Sequence, residues 1–388
     1  MNFSGSLRAY AAAFVKWLLL GIAIGLAGGA VGSVFHILID EVTVLRIGNP
    51  WLILLLPMGG VAIAGIYALS KKYGSIDTNR VLTAAAEDES VPFVMTPLIF
   101  ISTIITHLFG GSAGREGAAL QLGGSIGYNV GKLFKLSPAD LHIIVMTGMS
   151  AVFSALFGTP VTAAFFAVEV VCVGVMHYGA LFACMVSGLT AFKVAELFGI
   201  SPVRFQVSLP EALSYMLALK VIALSALCAL VSIVFCIAIK KAEHFSEKYI
   251  PNPYIRALAG GAVLIILTLL SGTYDYNGAG MAVITRAMGG EAEPLAFALK
   301  IIFTAVTISA GFRGGEIVPA FFIGSTFGCV MAAALSLDPA LGAAIGFIAL
   351  FCGVVNCPVA SFILSVEVFG EGSLIFALAV GVSYMLSG

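Results

Sequence analysis

The chain has 388 residues, 60% of them hydrophobic and only 10% charged, with a mean hydropathy of +1.08. A soluble domain carries roughly 25% charged residues, so this composition excludes one and reads as a multi-pass membrane protein; an all-α chain in the plasma membrane is the expectation. The net charge of −1 says nothing about nucleic acid, but no basic tract of the kind that binds phosphate backbones is present, so no nucleic-acid partner is expected.

The opening apolar run, Ala11 to Ile39, is too long for a cleaved leader and reads as a first spanning helix. Its glycines at 21, 25, 28, 29 and 32 allow close helix contacts in lipid. Trp51 to Ser70 is a second span, and Lys71-Lys72 marks its cytoplasmic end. A polar stretch from Tyr73 to Pro92 follows. Pro97–Phe109 and Ile143–Phe157 are apolar but shorter than the ~20 residues a span needs. Thr159-Pro160 restarts a helix that runs through Glu169 to about Val175.

Leu181–Phe198 and Tyr215–Ile239 read as further spans, the latter followed by a charged surface connection to Tyr254. Ala257–Leu270 precedes a polar loop from Ser271 to Pro294. Leu295–Ala310, Ile317–Leu335, Ala340–Val355, Pro358–Phe369 and Leu374–Leu386 complete the chain. Short, broken apolar segments of this kind suit a transporter whose half-helices meet inside the bilayer.

The seven cysteines all lie in apolar runs without metal-ligand or CxxC spacing, and read as small buried hydrophobes. No metal or cofactor is expected. No HExxH or GxSxG pattern supports a membrane-embedded hydrolase, so an enzyme is not expected either.

The informative stretch is Gly110-Gly111-Ser112-Ala113-Gly114-Arg115-Glu116-Gly117-Ala118. Arg and Glu among glycines, between apolar segments, are costly to bury without a function. Glycines let a helix break and bring backbone N–H groups to a point. A helix beginning inside the membrane aims its positive end at an anion. The stretch reads as half of an anion site with a titratable carboxylate beside it.

A second half stands downstream at Gly311-Phe312-Arg313-Gly314-Gly315-Glu316-Ile317-Val318-Pro319. Arg115/Arg313, Gly117/Gly315, Asp140/Asp338, Gly148/Gly346, Pro160/Pro358, Val161/Val359, Val168/Val366 and Glu169/Glu367 all differ by 198. The expected organisation is therefore two related membrane halves, residues 1–200 and 201–388, in one gap-free register.

At these motifs the sequence resembles the CLC family of anion channels and proton-coupled anion antiporters. Gly114-Arg115-Glu116-Gly117 matches its GREGP motif with Ala118 in place of proline, and Gly314-Gly315-Glu316-Ile317-Val318-Pro319 matches its GGxxxP motif. Phe157-Gly158-Thr159-Pro160 through Glu169, and Asn356-Cys357-Pro358 through Glu367, match two further helices. The resemblance implies an inverted repeat of broken and tilted helices, a homodimer in the lipid bilayer, and one anion pathway per subunit. It also makes Glu116 the gating glutamate that competes with the anion and carries a proton.

Three departures resemble the bacterial fluoride/proton antiporter branch. Glu316 stands where chloride members carry an apolar residue. Val170 replaces the inner proton glutamate. Asp77-Thr78-Asn79-Arg80 replaces a serine motif. An Asn amide offers two N–H donors to a strongly hydrated anion. The expected anion ligands are thus Thr78, Asn79, Gly114, Arg115, Gly117, Gly315, Ile317 and Val318, with Glu116 and Glu316 gating and carrying protons.

The expected function is export of fluoride, a halide, against inward protons. A chloride channel or chloride/proton exchanger of the same family is the alternative. Glu169, Glu367, His107 and His142 read as structural. The chain stops at Gly388, soon after Tyr384, before the place of the family's C-terminal pore tyrosine.

Overall fold

The computed structural model of the protein describes residues 3–69, 78–87, 89–210, 213–370 and 374–388. Among these the regular structure is helical, with no strand. Seven helices are long and apolar enough to cross a membrane, and six more are apolar but shorter. Lys71, Lys72 and Asp77 lie outside the described residues.

The chain folds into two compact units that take turns along the sequence. The first comprises Met1–His36, Ser75–Thr96 and Ala119–Val203. It holds most of helix α1 (Phe3–Gly48), α3 (Thr78–Ala86), most of α5 (Glu116–Leu133), α6 (Pro138–Phe157), α7 (Pro160–Glu169) and α8 (Tyr178–Leu197). Its centre is α6, buried from Ile144 to Phe157. Ser137 caps α6 by accepting the Asp140 amide, Pro138 occupies its first turn, and left-handed Gly158 closes it. A Cβ on Gly148 would lie 2.0 Å from the Gly123 carbonyl, so only glycines permit that crossing. Hydroxyls lace α6 to α8: Ser150 donates to the Cys184 carbonyl (2.8 Å), Ser154 to Gly188 (2.7 Å) and Ser187 to Thr147 (2.8 Å). With no water to satisfy them in lipid, such hydroxyls find backbone carbonyls instead.

The second unit comprises Ile37–Gly74, Pro97–Ala118 and Arg204–Gly388. It contains α2 (Leu56–Leu69) after a 3₁₀ turn (Pro50–Leu55), α4 (Met95–Phe109), α9 (Tyr215–Tyr249) and α10 (Pro253–Ser271). Then come α11 (Met281–Met288), α12 (Ala296–Ser309), α13 (Ile317–Ala334), α14 (Pro339–Val355), α15 (Pro358–Phe369) and α16 (Leu374–Ser387). Helices α13 and α14 cross on glycine: Cβ atoms at Gly324 and Gly328 would fall 2.2 and 2.1 Å from the carbonyls of Gly346 and Gly342. Phe321 stacks on Phe347 (4.0 Å between ring centres), and Phe369 on Phe376 (5.1 Å).

Several helices run further than their apolar runs. Helix α1 continues through Asp40, Glu41 and Arg46, and α9 carries its charged end to Tyr249. Hydropathy marks where a helix meets lipid, not where its hydrogen bonds stop. Helix α6 starts at its Ser137 cap rather than at Ile143, and α7 ends at Glu169 rather than near Val175. The polar stretches 73–92 and 271–294 each contain a short helix, α3 and α11.

The repeat is real, but its register is not gap-free. Helices α5 and α13 start at 116 and 317 and end at 133 and 334, an offset of 201. Lys135 and Ser336 take the same left-handed conformation, and Ser137 and Asp338 cap the next helix in each half, again 201 apart. From α7 and α15 onward the offset is 198. Helix α6 has 20 residues and α14 has 17, which accounts for the difference. The crossing contacts place the slip in their first turns: Gly127 meets Ile144, and Gly328 meets Gly342. The pairs Arg115/Arg313, Gly117/Gly315 and Asp140/Asp338 are therefore not equivalent positions, whereas Gly148/Gly346 and the later pairs are.

Candidate functional site: two glycine loops around a buried carboxylate

Helices α4 and α12 end in the same way. Each closes on a glycine with positive φ, Gly110 (+88°) and Gly311 (+92°). In each, the next amide folds back onto the helix: Gly111 onto the Thr106 carbonyl (2.8 Å) and Phe312 onto that of Thr307 (3.3 Å). The loops then pair. Gly114 donates to the Gly315 carbonyl (2.7 Å) and Gly315 to that of Gly114 (2.8 Å). The threonines cross over: Thr106 Oγ1 accepts the Arg313 amide (3.2 Å), and Thr307 Oγ1 accepts the Ser112 amide (3.0 Å). Every partner lies 201 residues from its counterpart, so a local twofold axis passes between Gly114 and Gly315.

The Glu116 side chain sits at this axis, fully buried. A Cβ on Gly114 would lie 2.2 Å from Glu116 Oε2, and one on Gly315 would lie 2.3 Å away. Both glycines are thus required by the carboxylate, not only by the turn. The backbone amides of Arg115, Glu116 and Val318 face it, and none meets it in full hydrogen-bonding geometry. These amides belong to the starts of α5 and α13. The next residue of α13, Pro319, has no N–H to lose. Nearby, Gly117 offers its amide 2.7 Å from where a Gly315 Cβ would be. His107, buried at the end of α4, donates from Nε2 to the Gly114 carbonyl (3.3 Å).

Arg115 turns away from Glu116. Its Nη1 lies 3.2 Å from Asp40 Oδ1 of α1. Glu316 stands at the N-cap position of α13 without a side-chain hydrogen bond to the helix, and Ile317 and Val318 form the first turn behind it. Arg313 places its guanidinium over the Tyr67 ring (4.1 Å) and makes no ion pair with Glu316 among the described residues. Glu316 instead faces Lys240 and Glu243 of α9. Thr78 and Asn79 open α3, and their side chains lie outside the described part of the structure.

The family model described as voltage gated chloride channel matches residues 70–388.

The chain belongs to this CLC family of membrane transport proteins.

A chloride/fluoride channel protein of Pseudomonas syringae pv. tomato is 33% identical over 381 residues, covering 96% of this chain and 84% of the relative. An H(+)/Cl(-) exchange transporter, ClcA, of Vibrio campbellii is 24% identical over 400 residues, covering 94% and 84%. Among solved structures, a CLC-type fluoride/proton antiporter superposes with a TM-score of 0.91 at 31% identity, covering 96% of this chain and 95% of that one. A slow cyanobacterial Cl-/H+ antiporter shares the fold, with a TM-score of 0.82 at 18% identity, covering 96% and 94%.

Several residues that hold this CLC site had a sequence signal that single motifs do not carry. Lys300, Thr304 and Thr307 lie at helical spacing i, i+4, i+7, a polar stripe along an otherwise apolar helix. Thr307 holds the Ser112 amide, and Thr304 Oγ1 meets the Ser112 hydroxyl at 3.1 Å. Asn277 and Asp40 carry no such periodic mark.

Proposed function

We propose that the chain is a secondary transporter that exchanges fluoride for protons across the bilayer, with Glu116 as the group that alternates with the anion. The observation that carries this reading is the position of the Glu116 carboxylate. It fills a place between Gly114 and Gly315, faced by amides from two helix starts, with no cation paired to it. Such a place suits an anion, and the chain supplies its own. A carboxylate there, once protonated, loses its attraction to those amides and can yield the place to a free anion. Proton and anion then move in opposite senses.

The amides of Gly117, Ile317 and Val318, with Gly114, Gly315 and the charge of Arg115, would line the anion's path. Glu316 would take the proton onward, and Thr78 and Asn79 would supply donors where chloride members use serine. Fluoride is favoured over chloride by Glu316, by Val170 and by likeness to the fluoride relatives. A homodimer with one pathway per subunit, each built from halves 1–200 and 201–388, follows from the same resemblance.

The test is anion efflux from liposomes, with a fluoride or chloride electrode outside and a pH dye inside. Fluoride efflux with coupled proton uptake, absent in Glu116→Gln, is the expected result. Proton coupling that survives Glu116→Gln would remove Glu116 from the mechanism. Equal or faster chloride flux would make the protein a chloride transporter of the same family.

A further inference from the structure

Beside the Glu116 site, two cations converge on one glycine. Lys300 is completely buried; its Nζ donates to the carbonyls of Gly278 (2.7 Å) and Tyr276 (3.1 Å) and lies 5.0 Å from the centre of the Phe322 ring. Arg46, in the last turn of α1, lays its guanidinium against the same residue. A Cβ on Gly278 would lie 2.7 Å from Arg46 Nη2, and one on Gly110 would lie 3.4 Å from Nη1. Arg46 Nε is buried and has no hydrogen-bond partner among the described residues. The loop that receives both cations docks on the first motif: Asn277 Nδ2 donates to the Gly110 carbonyl (3.0 Å), and the Gly278 amide to that of Gly111 (3.1 Å).

No described carboxylate lies within ion-pair distance of either cation. Two acids on the neighbouring segments pair elsewhere, Asp40 with Arg115 and Asp275 with Arg286. The charges that Lys300 feels most are Arg46, of the same sign, and Glu116. His107 faces Arg46, Lys300 and Arg115 together. Like charges gathered in a low-dielectric site, with no direct ion pair to offset them, are costly. They nonetheless keep donors in hand. An ammonium has three, of which two are used here, and a guanidinium has five. Gly110 and Gly278, both at positive φ (+88° and +62°), leave the guanidinium room to lie on bare backbone.

We propose that Arg46 and Lys300, closing on Gly278 and the Gly110–Gly111 turn, form a second site for a small inorganic anion of halide size. This site holds the ion next to the place that Glu116 occupies, so that an anion waits there while the carboxylate is in and moves on when it leaves. The proposal rests on the reading of Glu116 as the alternating carboxylate.

The test separates charge from shape. In liposomes, initial fluoride flux is followed against fluoride concentration for the parent protein and for Arg46→Gln, Lys300→Met and Lys300→Arg. Gly278→Asp and Gly278→Asn complete the set. Asp at position 278 places a tethered anion beside the guanidinium, and Asn is its neutral match in a backbone conformation both tolerate. Removing either charge is expected to raise the half-saturating fluoride concentration about tenfold or more, with the proton-to-fluoride ratio unchanged and Lys300→Arg near the parent. Gly278→Asp is expected to exceed Gly278→Asn by a similar factor.

Equal half-saturation for Asp and Asn, or unchanged values in both Arg46→Gln and Lys300→Met, would overturn the site. Should Lys300→Met not elute as a single folded species, Arg46→Gln and the position-278 pair decide. Failure of the underlying reading looks different, because proton coupling would persist in Glu116→Gln whatever these variants do.

Discussion

Thr106 and Thr307 occupy equivalent positions 201 residues apart, and each hydroxyl accepts the backbone amide that follows the other's helix. Each threonine holds its own loop through its carbonyl and the other loop through its hydroxyl. The two motif loops are therefore held by a crossed pair of bonds as well as by the direct Gly114–Gly315 pairing, and a shift in one loop is felt in the other.

Removing one hydroxyl should show this. Thr106→Val and Thr307→Val each leave an amide unpaired, part-buried at Arg313 and buried at Ser112, at a cost of about 1–3 kcal/mol. The double variant should cost less than the sum, because both changes loosen one paired unit. Thermal unfolding of the purified protein, followed by tryptophan fluorescence, measures both. Strict additivity would mean that the loops are held independently.

Gly114→Ala and Gly315→Ala should differ in kind. At Gly114 the three atoms closest to a new Cβ all belong to the Glu116 carboxyl, the far end of a flexible side chain. Alanine there should push the carboxylate out of its place while leaving the fold intact, and proton uptake per fluoride should fall toward that of Glu116→Ala. Adding Gly114→Ala to Glu116→Ala should then change nothing. At Gly315 the new Cβ also meets the backbone nitrogens of Gly117 and Glu116, at 2.7 and 2.8 Å. That substitution should cost stability, about 1–3 kcal/mol, with or without the Glu116 side chain.

The glycine crossing of α13 on α14 should tolerate no enlargement. A Cβ on Gly346 falls 2.1 Å from the Gly324 carbonyl, with rigid helix on both sides. Gly346→Ala should destabilise by about 3 kcal/mol or more, read as loss of the monodisperse peak on size exclusion. Its counterpart in the first half, Gly148→Ala, meets the Gly123 carbonyl at 2.0 Å and should behave alike.

Asp40 offers a contrast. It pairs with Arg115 but is largely exposed, its side chain 58% accessible. Asp40→Asn should change stability by no more than about 1 kcal/mol. Any change in transport rate that it causes should fade as ionic strength rises. A large effect that persists at high salt would show that Arg115 is held for more than its surface charge.

The membrane class, the repeat and the two glycine motifs were legible in the sequence because each leaves a mark that survives without coordinates. Apolar runs reveal lipid contact. Proline and glycine fix helix starts and stops, as at Pro160 and Gly158. Glutamate among glycines stands out in an apolar chain. The register of the repeat was less secure. Identities at 198 ran through Arg115 and Arg313, yet the structural offset there is 201, because three residues are missing from the first turn of α14. A chance arginine match concealed that gap, which the helix ends reveal and the crossing contacts of Gly127 and Gly328 locate. Arg46, Asn277 and Lys300 were not legible as a group. They lie on three separate segments, Arg46 far from the other two in sequence, and nothing in their local spacing says that they meet at Gly278.

The slip of three residues also changes which side chains answer one another. In true register Arg115 corresponds to Glu316, and Glu116 to Ile317. Duplication of an ancestral segment would have given both loops the same chemistry, and an ion would then find identical surroundings on either side of the axis. Here one copy carries a cation where the other carries an acid, and a buried carboxylate where the other carries an aliphatic chain. The backbone has kept its symmetry while the side chains have abandoned it. That divergence makes the two sides of a site built from twin parts chemically unequal.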